Sequence, residues 1–108
     1  MKAIKLDHYS VKLVEITGET VADQRRAMRD EIGGRIATVL CGMGRFVMIA
    51  DDDSIVKGLP QNALASLVAE RQIYGPALVV GLRADADGEI AFGDCPENVA
   101  SNLLLLGT

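Results

Sequence analysis

The 108-residue sequence lacks tryptophan, and aromatic residues make up only 4% of it although 49% of its residues are hydrophobic. Its core must therefore be built from aliphatic side chains and methionine. Its uninterrupted apolar runs, such as 77–80 and 103–106, are far shorter than the roughly 20 residues of a transmembrane helix. The first residues also lack the apolar stretch of a secretory signal. These absences predict a single domain over 1–108 that stays in the cytoplasm and does not enter a membrane.

Cysteine and histidine, which often bind structural or catalytic metals, are also scarce. Cys41 and Cys95 lie far apart, and His8 is the single histidine. Neither cysteine has a nearby partner at the spacing of a zinc site, and neither Ser10 nor either cysteine forms a recognisable motif with His8. We expect two free thiols in a reducing compartment, with a single disulfide as the alternative. No catalytic residue, metal site or cofactor is predicted.

Positive charge is in deficit as well. Fifteen acidic residues against 11 basic ones give a net charge of -4. A protein that neutralises many phosphates needs the opposite balance, so nucleic acid is not expected to be the main partner. A local basic patch still allows one small anion to bind.

The periodicity of hydrophobic residues predicts an α+β fold with a mostly antiparallel sheet of five or six strands. The main helix is expected at about 20–32, with Thr20 as its N-cap and Gly33 at its C-terminus. Shorter helices are expected after Pro60 and near the C-terminus. The strand candidates are 2–7, 11–17, 35–41, 45–50, 77–82 and about 89–92.

Two of these strands, 45–50 and 77–82, are apolar on both faces and need cover on both sides. One or two helices do not suffice for this, and the leucines at 103–106 add further apolar surface. We therefore expect a homo-oligomer in which a partner supplies the missing layer.

Three short motifs resemble functional sites without meeting their requirements. Gly42-Met43-Gly44 is followed by a strand rather than by the helix of a nucleotide loop, so it predicts a hairpin. The segment 85–88 lacks ligands that a calcium loop requires, so it predicts an acidic turn. The aspartates at 51–53 alternate in direction along an extended chain, so a solvated turn is favoured over a metal or acid/base site.

The segment 57–80 contains the most specific pattern. Pro60 fixes a bend, and Asn62 is placed to cap the following helix or to bind loop backbone groups. A structural function, a loop locked by Asn62 so that the helix packs on the sheet, is one interpretation. The other is a shallow ligand-binding pocket at the sheet edge, with Lys57, Asn62, Arg71 and Tyr74 lining its mouth.

The same segment carries a family resemblance. The ordered motifs are Gly33-Gly34-x-Ile36-x-x-Val39, Asp51-Asp52-Asp53, Lys57-Gly58-Leu59-Pro60-x-Asn62-x-x-Ala65 and Ile73-x-Gly75-Pro76-Ala77-x-Val79-Val80-Gly81. Over about 30–82 the chain resembles a small bacterial domain-of-unknown-function family that is frequent in phage, plasmid and mobile-element gene sets. The resemblance implies a small accessory protein and no catalytic residues. Members often have an acidic turn with Glu and Gly where this chain has Asp51-Asp52-Asp53.

The leading hypothesis is a non-enzymatic binding protein that binds a host protein or sequesters a small anionic, nucleotide-like ligand. One alternative is a small metal-dependent hydrolase or transferase that uses Asp51–Asp53. Another is a structural or regulatory subunit whose sheet edge joins a second chain.

Overall fold

The computed structural model describes residues 1–7, 10–84, 88 and 90–106. His8 and residues 85–87 of the turn predicted at 85–88 lie outside these ranges. Within them the chain forms a sheet of antiparallel strands and three α-helices, which confirms the α+β prediction. The elements in chain order are β1 (Lys2–Leu6), β2 (Val11–Glu15), α1 (Val21–Ile32), β3 (Ile36–Cys41), β4 (Phe46–Asp51), α2 (Ala63–Ala69), β5 (Ala77–Ala84), β6 (Ile90–Gly93) and α3 (Glu97–Leu106).

The strand order is β2-β1-β5-β4-β3, and β6 also pairs with β5. Every pairing is antiparallel. The two hairpins β1–β2 and β3–β4 therefore lie on opposite sides of β5. The five-strand path thus has β2 at one edge and β3 at the other, and β6 lies beside the C-terminal part of β5.

Helix α1 has the ends that the sequence predicts. The Thr20 hydroxyl accepts the N–H of Asp23 at 3.1 Å, which satisfies a first-turn donor. Gly33 adopts a left-handed conformation with φ 93° and donates its N–H to the Arg29 carbonyl. Only glycine reaches this conformation without steric cost, so the helix ends here. Its buried residues, Met28 and Ile32, pack on one face of the sheet.

The sheet is covered on both faces within one chain. The α1 side of the core is formed by Ala3, Ile16, Met28, Ile32, Val47, Ile49, Leu78, Val80 and Phe92. The opposite side, under α2 and α3, is formed by Ile4, Leu6, Cys41, Phe46, Met48, Ala50, Ala65, Ile73, Ala77, Val79, Cys95 and Leu103. The whole of β4 is buried. An uncovered face on the central strands, from which the homo-oligomer was predicted, therefore does not occur.

The hairpin predicted at Gly42-Met43-Gly44 is confirmed. Cys41 pairs with Phe46, and Gly42–Gly44 form a short 3-10 turn between the two strands. Gly42 has φ 57°, and a Cβ there would lie 2.6 Å from the Phe46 ring. The turn therefore requires glycine at this position.

Helix α3 buries only part of its leucine run. Successive helical residues point about 100° apart, so four consecutive leucines cannot share one face. Leu103 is buried, whereas Leu105 and Leu106 are 72% and 67% exposed. Among the helices of the described ranges, none has the length and apolar character to cross a bilayer.

A core substitution tests the central position of β5. Leu78 is fully buried, whereas Leu67 on α2 is 73% exposed. We expect Leu78→Ala to lower the free energy of unfolding by about 2–5 kcal/mol because it removes apolar contacts and leaves a cavity. Leu67→Ala, the matched control, should change it by less than about 0.5 kcal/mol. Urea unfolding measures both free energies. An equal loss of stability in the two variants would contradict the burial of Leu78 in the core and the exposure of Leu67.

Candidate functional site

Asn62 is a buried structural residue. It is 3% exposed, and its side-chain NH2 donates to the carbonyls of Leu6 at 2.9 Å and Gly75 at 3.0 Å. Its side-chain oxygen accepts the N–H of Ala65 at 3.1 Å, which caps α2. The side chain thus joins β1, the start of α2 and the segment before β5. Both amide hydrogens are used within the chain, as the structural interpretation of Asn62 requires.

Lys57 also binds groups of its own chain. Its ammonium lies 2.7 Å from the Asp51 Oδ2 and donates to the Gly33 carbonyl at 3.1 Å. The Asp51 side chain is 1% exposed, and its other oxygen accepts the N–H of Asp53. Burial of a carboxylate requires such compensation. Lys57 therefore fastens the loop after β4 to the C-terminus of α1.

The second glycine of the pair after α1, Gly34, leaves room for this contact. A Cβ on Gly34 would lie 2.5 Å from the Lys57 ammonium nitrogen. A side chain there would displace the ammonium from the Asp51 carboxylate. The motif residues Gly33, Gly34, Asp51 and Lys57 thus belong to one cluster, although 24 positions separate the lysine from the Gly33 carbonyl.

Arg71 and Tyr74 share a small cavity beside the edge strand β3. Its volume is about 130 Å³. Its lining also includes Ala37, Val39, Ala50, Asp51, Asp52, Ser54, Ile55, Gln72 and Ile73. Lys57 and Asn62 are not among the lining residues. Two of the four predicted ligand residues are therefore together at the sheet edge, and the other two occupy structural positions.

The remaining aspartates of the 51–53 turn face an arginine. Arg35 donates from Nε and Nη2 to the two carboxylate oxygens of Asp53, at 3.1 and 2.8 Å. Asp52 lies 3.5 Å from the same guanidinium. The hydrogen bond from Arg35 holds the pKa of Asp53 below its ordinary value. Within the described ranges, no three His, Cys, Asp or Glu residues are grouped as metal ligands.

The outer edge of β3 is open. Asp52 donates its N–H to the Arg35 carbonyl at 2.9 Å, and bonded and non-bonded pairs alternate along antiparallel strands. Residues 37, 39 and 41 therefore bond to β4, whereas the backbone groups of Ile36, Thr38 and Leu40 point away from the sheet. These three form no backbone hydrogen bond to another described segment. We call Ile36, Thr38 and Leu40 the open edge.

The two sheet edges differ in charge. Strand β2 carries the exposed residues Lys12 and Glu15, whereas β3 contains no charged residue. Charged residues on an edge strand discourage pairing with other chains. Leu40 is moreover 69% exposed, and Met43 in the following turn is 99% exposed. The edge at β3 thus lacks the charged residues that usually keep an edge strand from pairing with another chain. Sequence reasoning missed it because the strand order decides which strand is at an edge.

A larger groove lies at the other end of the molecule, between α3 and the β1–β2 hairpin. Its volume is about 510 Å³, within the roughly 300–1,000 Å³ of small-molecule sites. Apolar residues Leu13, Ala100 and Leu104 line it, with Lys2 and Glu97 among its polar residues. Cys95 in its wall is buried.

A family model described as a domain of unknown function (DUF3846) matches residues 1–98. The chain belongs to this family. The match includes all six strands, α1 and α2, and it ends two residues into α3. No curated protein and no solved structure matches the chain. The expected membership in a family of unknown function is confirmed, and a phage or plasmid setting stays a prediction.

The two cysteines of this DUF3846 chain are free and buried. Burial raises the pKa of both thiols, that of Cys95 to about 11. A nucleophilic thiol requires the thiolate, which a raised pKa disfavours near neutral pH. Neither residue has the environment of a reactive cysteine.

Removal of the Asn62 side chain tests its structural function. Asn62→Ala should lower the free energy of unfolding by about 2–4 kcal/mol, because it removes the helix cap and leaves two buried carbonyls without their donor. The exposed Asn102 on α3 provides the control, and Asn102→Ala should have almost no effect. Chemical unfolding checks both. A value for Asn62→Ala near that of the control would show that the bonds contribute little.

A second variant tests the Arg35–Asp53 pair. In Arg35→Gln the pKa of Asp53 should rise toward its ordinary value, because the donor to its carboxylate is lost. Since the pKa is depressed in the folded state, the pair stabilises the protein above the ordinary carboxyl pKa and stops doing so as pH falls through the Asp53 pKa. NMR titration of the carboxyl carbon measures the change. Arg45→Gln should leave this titration unchanged, and an unaltered Asp53 in Arg35→Gln would contradict the pairing.

Proposed function

We propose that this protein is a non-enzymatic binding protein whose open edge pairs with an extended segment of another polypeptide. The observation that carries the proposal is an uncharged edge strand with a 69% exposed Leu40 and outward backbone groups at three alternate residues. Added strands obtain affinity from main-chain hydrogen bonds and specificity from pockets for alternate side chains. This combines the predicted binding of a host protein with the predicted joining of chains at a sheet edge.

The cavity beside β3 supplies such a pocket. Every second side chain of an added strand would point to the face that carries Ala37 and Val39, which line the cavity. Arg71 is exposed there and has no ion pair within the described residues. Asp51 and Asp52 also lie in the wall of this cavity, and the Tyr74 hydroxyl donates to the Gln72 side chain, so an acidic side chain of the partner is disfavoured there. A partner segment of uncharged, mainly apolar residues is therefore the preferred class.

A nucleotide is less well supported as the ligand. The cavity of about 130 Å³ is smaller than the roughly 300–1,000 Å³ of small-molecule sites. Asp51 and Asp52 are in its wall, and Lys57 is engaged with Asp51. Metal-dependent hydrolysis is also less well supported, because Asp51 and Asp53 are paired with Lys57 and Arg35. The phage or mobile-element setting remains part of the proposal, since small accessory proteins of such elements commonly act by binding.

The test uses peptides selected from a random phage-display library on the immobilised chain. Selected peptides should bind the wild-type protein and slow hydrogen exchange of the amides of Ile36, Thr38 and Leu40. Binding should be lost in Thr38→Pro, which removes an outward donor without removing a bond to β4. Leu40→Lys should also weaken binding, because a charge on the edge opposes pairing.

Leu13→Lys on β2 is the control, because Leu13 is 54% exposed at the opposite edge. It should leave peptide binding intact. Peptides that bind Thr38→Pro as well as the wild type would overturn the proposal. A thermal-shift screen with nucleotides tests the other ligand class: a ligand at 100 times its Kd would add about 2.7 kcal/mol of stability. We expect no such shift.

A further inference from the structure

We propose that the open edge of β3 pairs, in the absence of another partner, with the same edge of a second copy of this chain. The inference rests on the proposed function, since both use this edge. The open edge is compatible with two-fold symmetry. Its three outward residues lie at alternate positions, so a two-fold axis that passes beside the middle residue, Thr38, can relate the two copies. An antiparallel pairing centred on Thr38 would set Ile36 opposite the partner's Leu40.

The side chains of this pairing suit one another. Residues 36, 38 and 40 point to the same face of β3, since they pair with Asp51, Ile49 and Val47 on β4. The symmetric contacts would be one threonine pair and two pairs of Ile36 with Leu40. Such cross-strand pairs are favourable. The pairing would also cover Leu40, which is 69% exposed in the single chain.

The charges at the two ends of β3 favour the antiparallel direction. At the start of the strand, the carboxylates of Asp52 and Asp53 share the Arg35 guanidinium, which leaves a net negative charge. At the other end the exposed Arg45 has no ion pair within the described residues. Antiparallel pairing brings Arg45 to the end where the partner's Asp52 lies. Because of this charge complementarity and the central position of Thr38, we infer that a second copy of this chain pairs with the edge.

Cysteine cross-linking of Thr38→Cys tests the symmetry directly. In hydrogen-bonded antiparallel pairs the Cα atoms are about 5.5 Å apart, within the range that a disulfide spans. Mild oxidation should therefore convert Thr38→Cys into a covalent dimer about tenfold faster than Leu13→Cys, for which only random collisions bring the thiols together. The native cysteines are buried and should not compete.

Analytical ultracentrifugation provides the second measurement. The wild-type chain should sediment as a dimer, whereas Thr38→Pro and Leu40→Lys should sediment as monomers with unchanged far-UV circular dichroism. A monomeric wild type, with Thr38→Cys cross-linking no faster than Leu13→Cys, would overturn the homodimer. In that case, peptide protection of the Ile36, Thr38 and Leu40 amides would still support the proposed function. Conversely, a dimer that no selected peptide dissociates would overturn the proposed function alone.

Discussion

The arrangement of the sheet depends on one buried amide. Asn62 holds the carbonyl of Leu6 at the end of β1 and the carbonyl of Gly75 before β5, while its oxygen caps α2. The core consists of aliphatic side chains, whose hydrophobic contacts have no preferred direction. The hydrogen bonds of the buried amide are directional, so they specify one arrangement of the segments that they join. The amide thus sets the position of α2 relative to two neighbouring strands. Residues 71–74, which follow α2 closely in the chain, line one wall of the edge cavity, so the position of α2 also constrains that wall.

A second polar contact acts on the other side of the same region. The buried Asp51 carboxylate, compensated by Lys57, joins the end of β4 to the C-terminus of α1. The loop between β4 and α2 is therefore fixed at its middle by Lys57 and at its end by Asn62. Under the proposed function such fixation would favour binding, because a rigid strand loses less conformational entropy when a partner pairs with it. Lys57 and Asn62, which the sequence pattern indicated as candidate ligand residues, thus help to hold the region beside the edge strand.

Much of the fold follows from local rules, and the site does not. Thr20 and Gly33 delimit α1 through capping, and alternation of apolar residues locates the strands, so both were predictable. The strand order results from contacts between distant segments, and without it β3 could not be recognised as an edge. Lys57 looked available for a ligand because its partner Asp51 was expected in a solvated turn. Burial of that aspartate is a tertiary effect, which short-range patterns do not contain.

The central position of β5 has a consequence for folding during synthesis. This strand pairs with β1, β4 and β6, yet it is the fifth strand along the chain. Two hairpins, β1–β2 and β3–β4, therefore emerge first and remain separate until residues 77–84 leave the ribosome. Until then β1 and β4 each present one unpaired edge and apolar side chains, the kind of surface from which nascent chains aggregate. The long-range pairings of β5 also raise the contact order and slow folding, so chaperone demand should be greatest just before this strand appears.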